Sequence, residues 1–99
     1  MIDLTQSNEK LYEIKLPDKT ILKIRRPSQG LLIELAKLED ADGSVETLER
    51  VNSLTTRIFN RNKNGRVFSE EEIADMMDLE TSIMVLKDYL AATYKQLGE

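Results

Sequence analysis

Apolar and polar residues alternate in two short stretches near the start of the chain, "LYEIKL" (11–16) and "TILKIR" (20–25). A period of two is the mark of a strand with one face covered. It puts Tyr12, Ile14 and Leu16 on one face of the first run, and Leu22 and Ile24 on one face of the second. Pro17, Asp18 and Lys19 between them form a tight turn, so 11–25 reads as a β-hairpin. Such a hairpin is marginal in water by itself and must rest on something. Residues 1–10 are open between an additional strand and a loose lead into the hairpin.

From Pro27 onward the apolar spacing changes to three and four. Pro27 ends the second strand and Ser28 caps a helix over about 28–39. Its stripe is Leu31, Leu35 and Leu38, widened by Leu32 and Ala36. "DADGS" (40–44) reads as a loop whose Ser44 caps a second helix over about 45–60. There Val45, Leu48, Val51, Leu54, Ile58 and Phe59 fill one half of the wheel, with Glu46, Glu49, Arg50, Ser53 and Arg57 on the other. "SEEE" fits a capping box, with Ser69 as cap and Glu72 three residues on, and opens a short helix over about 70–77. Asp78 caps a last helix over about 79–96, and Gly98 is a natural stop. The class is therefore α+β: one small domain over 11–97, a hairpin followed by about four helices.

The last helix has more apolar surface than one contact needs. Its main stripe is Leu79, Ile83, Leu86, Leu90, Tyr94 and Leu97. Beside it runs a second row, Val85, Tyr89 and Ala92, with Met84 further round. Coverage on two sides explains that row. So does a partner protein, because Met and Tyr suit adaptable interfaces. Met76 and Met77 on the short third helix extend the same patch, which makes Met76, Met77, Met84, Val85 and Tyr89 the candidate partner-binding residues.

The totals narrow the functions available. Ninety-nine residues, 40% hydrophobic and 32% charged, make one domain large enough for a core. No apolar run reaches the roughly 20 residues needed to cross a bilayer, and the N-terminus lacks the layout of a secretory signal. Cysteine and histidine are both absent. That removes disulfides, thiolate chemistry, the commonest metal ligand and the commonest neutral-pH base. A cytosolic location is the simplest expectation. The net charge of −4 makes generic nucleic-acid binding unfavourable. It is unevenly spread, however: residues 57–66 carry four Lys/Arg and no acid. Arg57, Arg61, Lys63 and Arg66 keep a nucleic-acid contact in view.

One segment resembles a metal loop. From Asn60, asparagines stand at alternate positions 60, 62 and 64, Gly65 comes sixth and Glu71 twelfth, which tracks a calcium-binding EF-hand loop. The ligands are wrong in kind, because Glu71 is the one carboxylate at a ligand position and three cations lie between. Asn and Gly are turn formers in their own right, so the loop reads as a turn, with Val67 and Phe68 entering the core behind it. A calcium- or ligand-responsive interaction module built on Asn60–Glu71 is the alternative. Catalysis is not expected: there is no nucleophile–base set, no Walker lysine loop and no GxGxxG run, and the Asp75/Asp78 pair reads as a solvated face. No cofactor is implied.

The order of features carries a resemblance. "ILKIRRPS", an amphipathic helix, "IFNRNKNGRVFSEEEI" and "IMVLKDYLAATYKQL" follow one another as in the short tail assembly chaperones of long-tailed bacteriophages and prophages. Pro27-Ser28, Asn60 to Gly65 followed by Phe68-Ser69-Glu70-Glu71, and Asp88-Tyr89 are the phrases that resemble that family. The resemblance implies a non-enzymatic α+β protein of the bacterial host cytoplasm. It would bind the tape-measure protein, keep its apolar segments from aggregating and help recruit the tail-tube protein. It leaves room for a homo-oligomer and for a longer frameshifted product, implies no nucleic-acid or membrane contact, and carries over no catalytic residues.

Overall fold

The computed structural model describes residues 11–38 and 45–97, with only the backbone described at 96 and 97. The element order is β1 (Tyr12–Lys15), β2 (Ile21–Ile24), α1 (Gln29–Lys37), α2 (Val45–Phe59), α3 (Glu70–Met76) and α4 (Leu79–Leu97). This is the expected α+β unit, a two-stranded antiparallel hairpin followed by four helices. Residues 1–10, the 40–44 loop with its Ser44 cap, and Gly98 lie outside the described residues.

Hairpin register follows from its turn. The Lys19 N–H donates to the Leu16 carbonyl, and the Leu16 N–H to the Thr20 carbonyl, both at 2.8 Å. Lys19 takes the left-handed conformation (φ 73°) that a three-residue hairpin loop needs at its last position, where glycine is commoner. Tyr12 then faces Ile24, and Ile14 faces Leu22. Leu22 and Ile24 are fully buried, while Lys23 between them is exposed.

Helix ends are set where side chains can take the orphan N–H groups. Ser28 Oγ accepts from Leu31 N–H (3.2 Å), Ser69 Oγ from Glu72 N–H (3.1 Å), and Asp78 Oδ1 from Thr81 N–H (2.8 Å). The Ser69 hydroxyl donates to Glu72 Oε1 at 3.4 Å, in place of the Ser69 backbone N–H that the expected capping box would use, so the cap forms without the reciprocal bond.

The core joins Leu22 and Ile24 of β2 to Leu31 and Leu35 of α1, to Val51, Leu54, Ile58 and Phe59 of α2, and to Phe68, Ile73, Val85, Leu86 and Tyr89. Helix α2 packs on α4 and α3 and lies at the centre. Its buried face begins at Val51. Val45 (70% exposed) and Leu48, expected in that face, precede the point where its neighbours cover it. The core face instead includes Thr55 and Thr56, whose hydroxyls donate at 2.8 Å to the Val51 and Asn52 carbonyls one turn back. A hydroxyl satisfied inside its own helix can be buried without a further partner.

Candidate functional site

Two regions bear on function: the turn after α2 and the surface of α4. In the turn, every asparagine amide is bonded to backbone. Asn60 Oδ1 accepts Phe68 N–H (2.7 Å) and its Nδ2 donates to the Phe68 carbonyl (2.9 Å). Asn62 Nδ2 donates to the carbonyls of Phe59 and Arg66, both at 2.7 Å, while its Oδ1 accepts from Asn64 N–H (3.0 Å) and Arg66 N–H (3.1 Å). That uses all four hydrogen-bonding positions of the amide. Asn64 Oδ1 accepts Lys23 N–H (3.0 Å) and its Nδ2 donates to the Ile21 carbonyl (3.2 Å).

The last pair matters because it lies on the outer edge of β2. Alongside it, Arg25 N–H donates to the Arg61 carbonyl, Lys63 N–H donates to the Lys23 carbonyl, and Ile24 and Asn62 form an antiparallel bridge. The turn therefore serves as a third strand, part backbone and part amide side chain. It covers an edge that would otherwise present unpaired groups. Gly65 (φ 76°) reverses the chain where a side chain would be strained.

This geometry explains the asparagine spacing without a cation, since the three oxygens that would ligate one already accept backbone N–H groups. Glu71 is exposed in the first turn of α3, and the Arg66 guanidinium lies 5.0 Å over the Phe68 ring. Among the described residues no three His, Cys, Asp or Glu side chains converge. Phe68 is buried as expected and stacks edge-on against Phe59. Val67 is not, at 82% exposure, because consecutive residues of an extended chain point to opposite sides.

The basic residues of 57–66 are separated. Arg57 pairs with Glu34 across α1 and α2, above an open groove of about 560 Å³ with mixed charges on both walls. Arg61 donates twice to the Arg26 carbonyl, through Nε (3.0 Å) and Nη2 (2.6 Å). Arg66 pairs with Asp18 at 3.2 Å. The Asp18 carboxyl is held below its ordinary range, first by the Thr20 N–H and then by Arg66.

Helix α4 turns its expected second row inward, together with Leu86 of the expected main stripe. Its inward line is Ser82, Val85, Leu86, Tyr89 and Thr93, all buried. Val85 and Tyr89 are thus core residues of the lone chain and are withdrawn as partner-binding candidates. Tyr89, 1% exposed, sets its ring edge-on to Tyr12 (centroids 5.2 Å apart), and its hydroxyl donates to the Arg25 carbonyl at 2.5 Å. Tyr12 in turn donates to Asp88 Oδ2 at 2.6 Å, a link between hairpin and α4 that the sequence reading missed. Burial first, then the Asp88 hydrogen bond and charge, push the Tyr12 hydroxyl pKa well above its ordinary value.

Of the row expected to be core, Leu86 is buried as expected, and Leu79, Ile83, Leu90 and Tyr94 form a shoulder beside it. Leu79 and Tyr94 (51% exposed) stand in solvent at its ends, and Ile83 and Leu90 are half-buried between them. Met76 and Met77 are half-buried against the core. Met84, at 64% exposure, lies one turn from Glu80 on one side and from Asp88 on the other, on the face away from the core. The five candidates therefore do not form one patch. A signal for the true inward row existed in Ser82 and Thr93, small residues that allow close helix approach.

No helix among the described residues is long and apolar enough to cross a membrane. Comparison with protein-family models, curated proteins and solved structures finds no match for this chain.

Proposed function

We propose that this protein acts by protein–protein contact, as a non-enzymatic chaperone of phage tail assembly. In this reading it works in the host cytoplasm, holds apolar segments of the tape-measure protein and assists recruitment of the tail-tube protein. The observation that carries the binding role is the shoulder of α4: Leu79, Ile83, Leu90 and Tyr94 form a line of apolar side chains left open or half-open after the core has closed. Apolar surface of this kind is what a protein needs to hold a client reversibly. The phage assignment rests on the order of hairpin, amphipathic helix, asparagine turn and terminal helix.

The test is co-expression with the tape-measure protein of the phage or prophage that encodes this chain. The expected result is a larger soluble fraction of tape-measure protein, lost with Leu79→Lys/Tyr94→Lys while the variant itself stays folded. An unchanged soluble fraction with the native chain overturns the chaperone reading. Calorimetric titration with calcium tests the ligand-responsive alternative, for which micromolar binding is the required result.

A further inference from the structure

The hairpin and the turn that pairs with it carry a charge opposite to that of the chain. Residues 11–26 and 60–66 hold eight Lys/Arg against two Asp/Glu, a net +6, whereas 69–95 hold two against seven, a net −5. The bridge between Ile24 and Asn62 places Lys63 opposite Lys23 and Arg61 opposite Arg25. Because Leu22, Ile24 and Asn62 point inward, Lys23, Arg25 and Lys63 point outward, beside Lys15 of β1. Like charges directly opposite each other in a sheet repel. Arg61 and Arg66 are occupied as described above, but Lys15, Lys23, Arg25 and Lys63 form no ion pair with another described residue. With strands about 4.8 Å apart and a rise of about 3.4 Å per residue, the four cations are spread over roughly 14 Å, and Glu13, directly opposite Lys23, is the one acid of β1 and β2 that shares their face.

We propose that this outer face of the sheet binds a carboxylate-rich segment of a partner protein. Charge complementarity selects an anion, and the surroundings select which kind. The face has no aromatic ring for bases to stack on, since Tyr12, Phe59, Phe68 and Tyr89 pack in or against the core and Tyr94 is on α4. The patch is small, and the acidic α3–α4 segment of the same molecule repels a long polyanion. A short run of Asp or Glu meets the four cations through charge-assisted hydrogen bonds without extending over the acidic side. The site is separate from the α4 shoulder and does not depend on the identity of any client there.

The probe is a fluorescently labelled poly-glutamate peptide of about a dozen residues, titrated at low and at physiological ionic strength. Binding is expected at low ionic strength, weakening with salt. Lys23→Glu/Lys63→Glu should weaken it by about tenfold or more, a loss of at least 1.4 kcal/mol. Lys37→Glu/Lys95→Glu, the same charge change elsewhere, should alter it less than about twofold. A thermal melt checks that each variant is folded; if the first is not, Lys15→Gln/Arg25→Gln takes its place with a loss of several-fold expected. The proposal is overturned by no binding of the native chain at low salt, or by equal losses in both charge-reversed variants. Tighter binding of a DNA oligonucleotide of equal charge would assign the face to nucleic acid instead. Salt-sensitive self-association that disappears with Lys23→Glu/Lys63→Glu would assign it to a second copy.

Discussion

Between Asn60 and Phe68 the chain is polar and firmly held, while along α4 it is apolar and partly bare. In the turn, Asn62 is buried with its amide fully bonded, and its neighbours complete the edge of a sheet. On α4, Leu79 and Tyr94 stand in solvent, while Ser82 and Thr93 are inside. Burial follows from whether a group's requirements are met where it lies. An amide with four partners loses nothing to desolvation, and neither does the Thr93 hydroxyl, which donates to the Tyr89 carbonyl at 2.9 Å. A leucine on the flank of a helix stays exposed when the neighbouring elements do not reach it.

The largest effect should come from the inward row of α4. Tyr89→Ala is expected to cost about 4 kcal/mol in urea denaturation, from lost packing against Tyr12 and a lost bond to Arg25. A cost below about 1 kcal/mol would return Tyr89 to the surface and undo the contrast. Next comes the turn. Asn62→Ala should cost about 3 kcal/mol by leaving two carbonyls and two N–H groups short of partners. Amide exchange at Lys23 and Arg25 should quicken, because the outer edge of β2 loses its cover; unchanged exchange would mean the edge is held by something other than the asparagines.

Alkaline titration probes the contact between the hairpin and α4. The Tyr12 hydroxyl has its pKa raised in the folded state, so the native protein keeps a proton that the unfolded chain gives up. Its contribution is complete below the unfolded value of about 10 and is lost as pH rises through the folded value. Native stability should therefore fall above pH ~10 relative to Tyr12→Phe, and parallel curves would show that the Tyr12 hydroxyl is neither buried nor bonded to Asp88 in solution.

Two smaller effects complete the comparison. Lys19→Gly should stabilise the chain in urea denaturation by about 0.5 kcal/mol, the relief of the left-handed φ net of glycine's larger unfolded-state entropy. Tyr94→Lys should move stability by less than about 0.5 kcal/mol. A larger loss on thermal unfolding would put the shoulder in the core.

Much of the framework was readable from local chemistry. Ser28, Ser69 and Asp78 cap the helices they were expected to cap, and the alternation in 12–16 and 21–24 gave the hairpin. The α4 rows were misranked because hydrophobicity favours Leu79, Ile83, Leu90 and Tyr94 over a line containing Ser82 and Thr93. Nothing local says which line meets α2. The turn was read as a turn, but its pairing with β2 joins residues some forty positions apart, Asn64 to Ile21 and Lys23.

By itself the sequence determined where elements begin and end, because caps, turns and periodicity act over three or four residues. The tertiary structure alone decided which face of α4 is inside, that the segment from Arg61 to Asn64 stands in for a strand beside β2, and that Lys23 lies across from Lys63. Each of these depends on how separate elements meet. That meeting is governed by shape and by hydrogen bonds between distant residues, which a local pattern of apolar and polar positions does not encode.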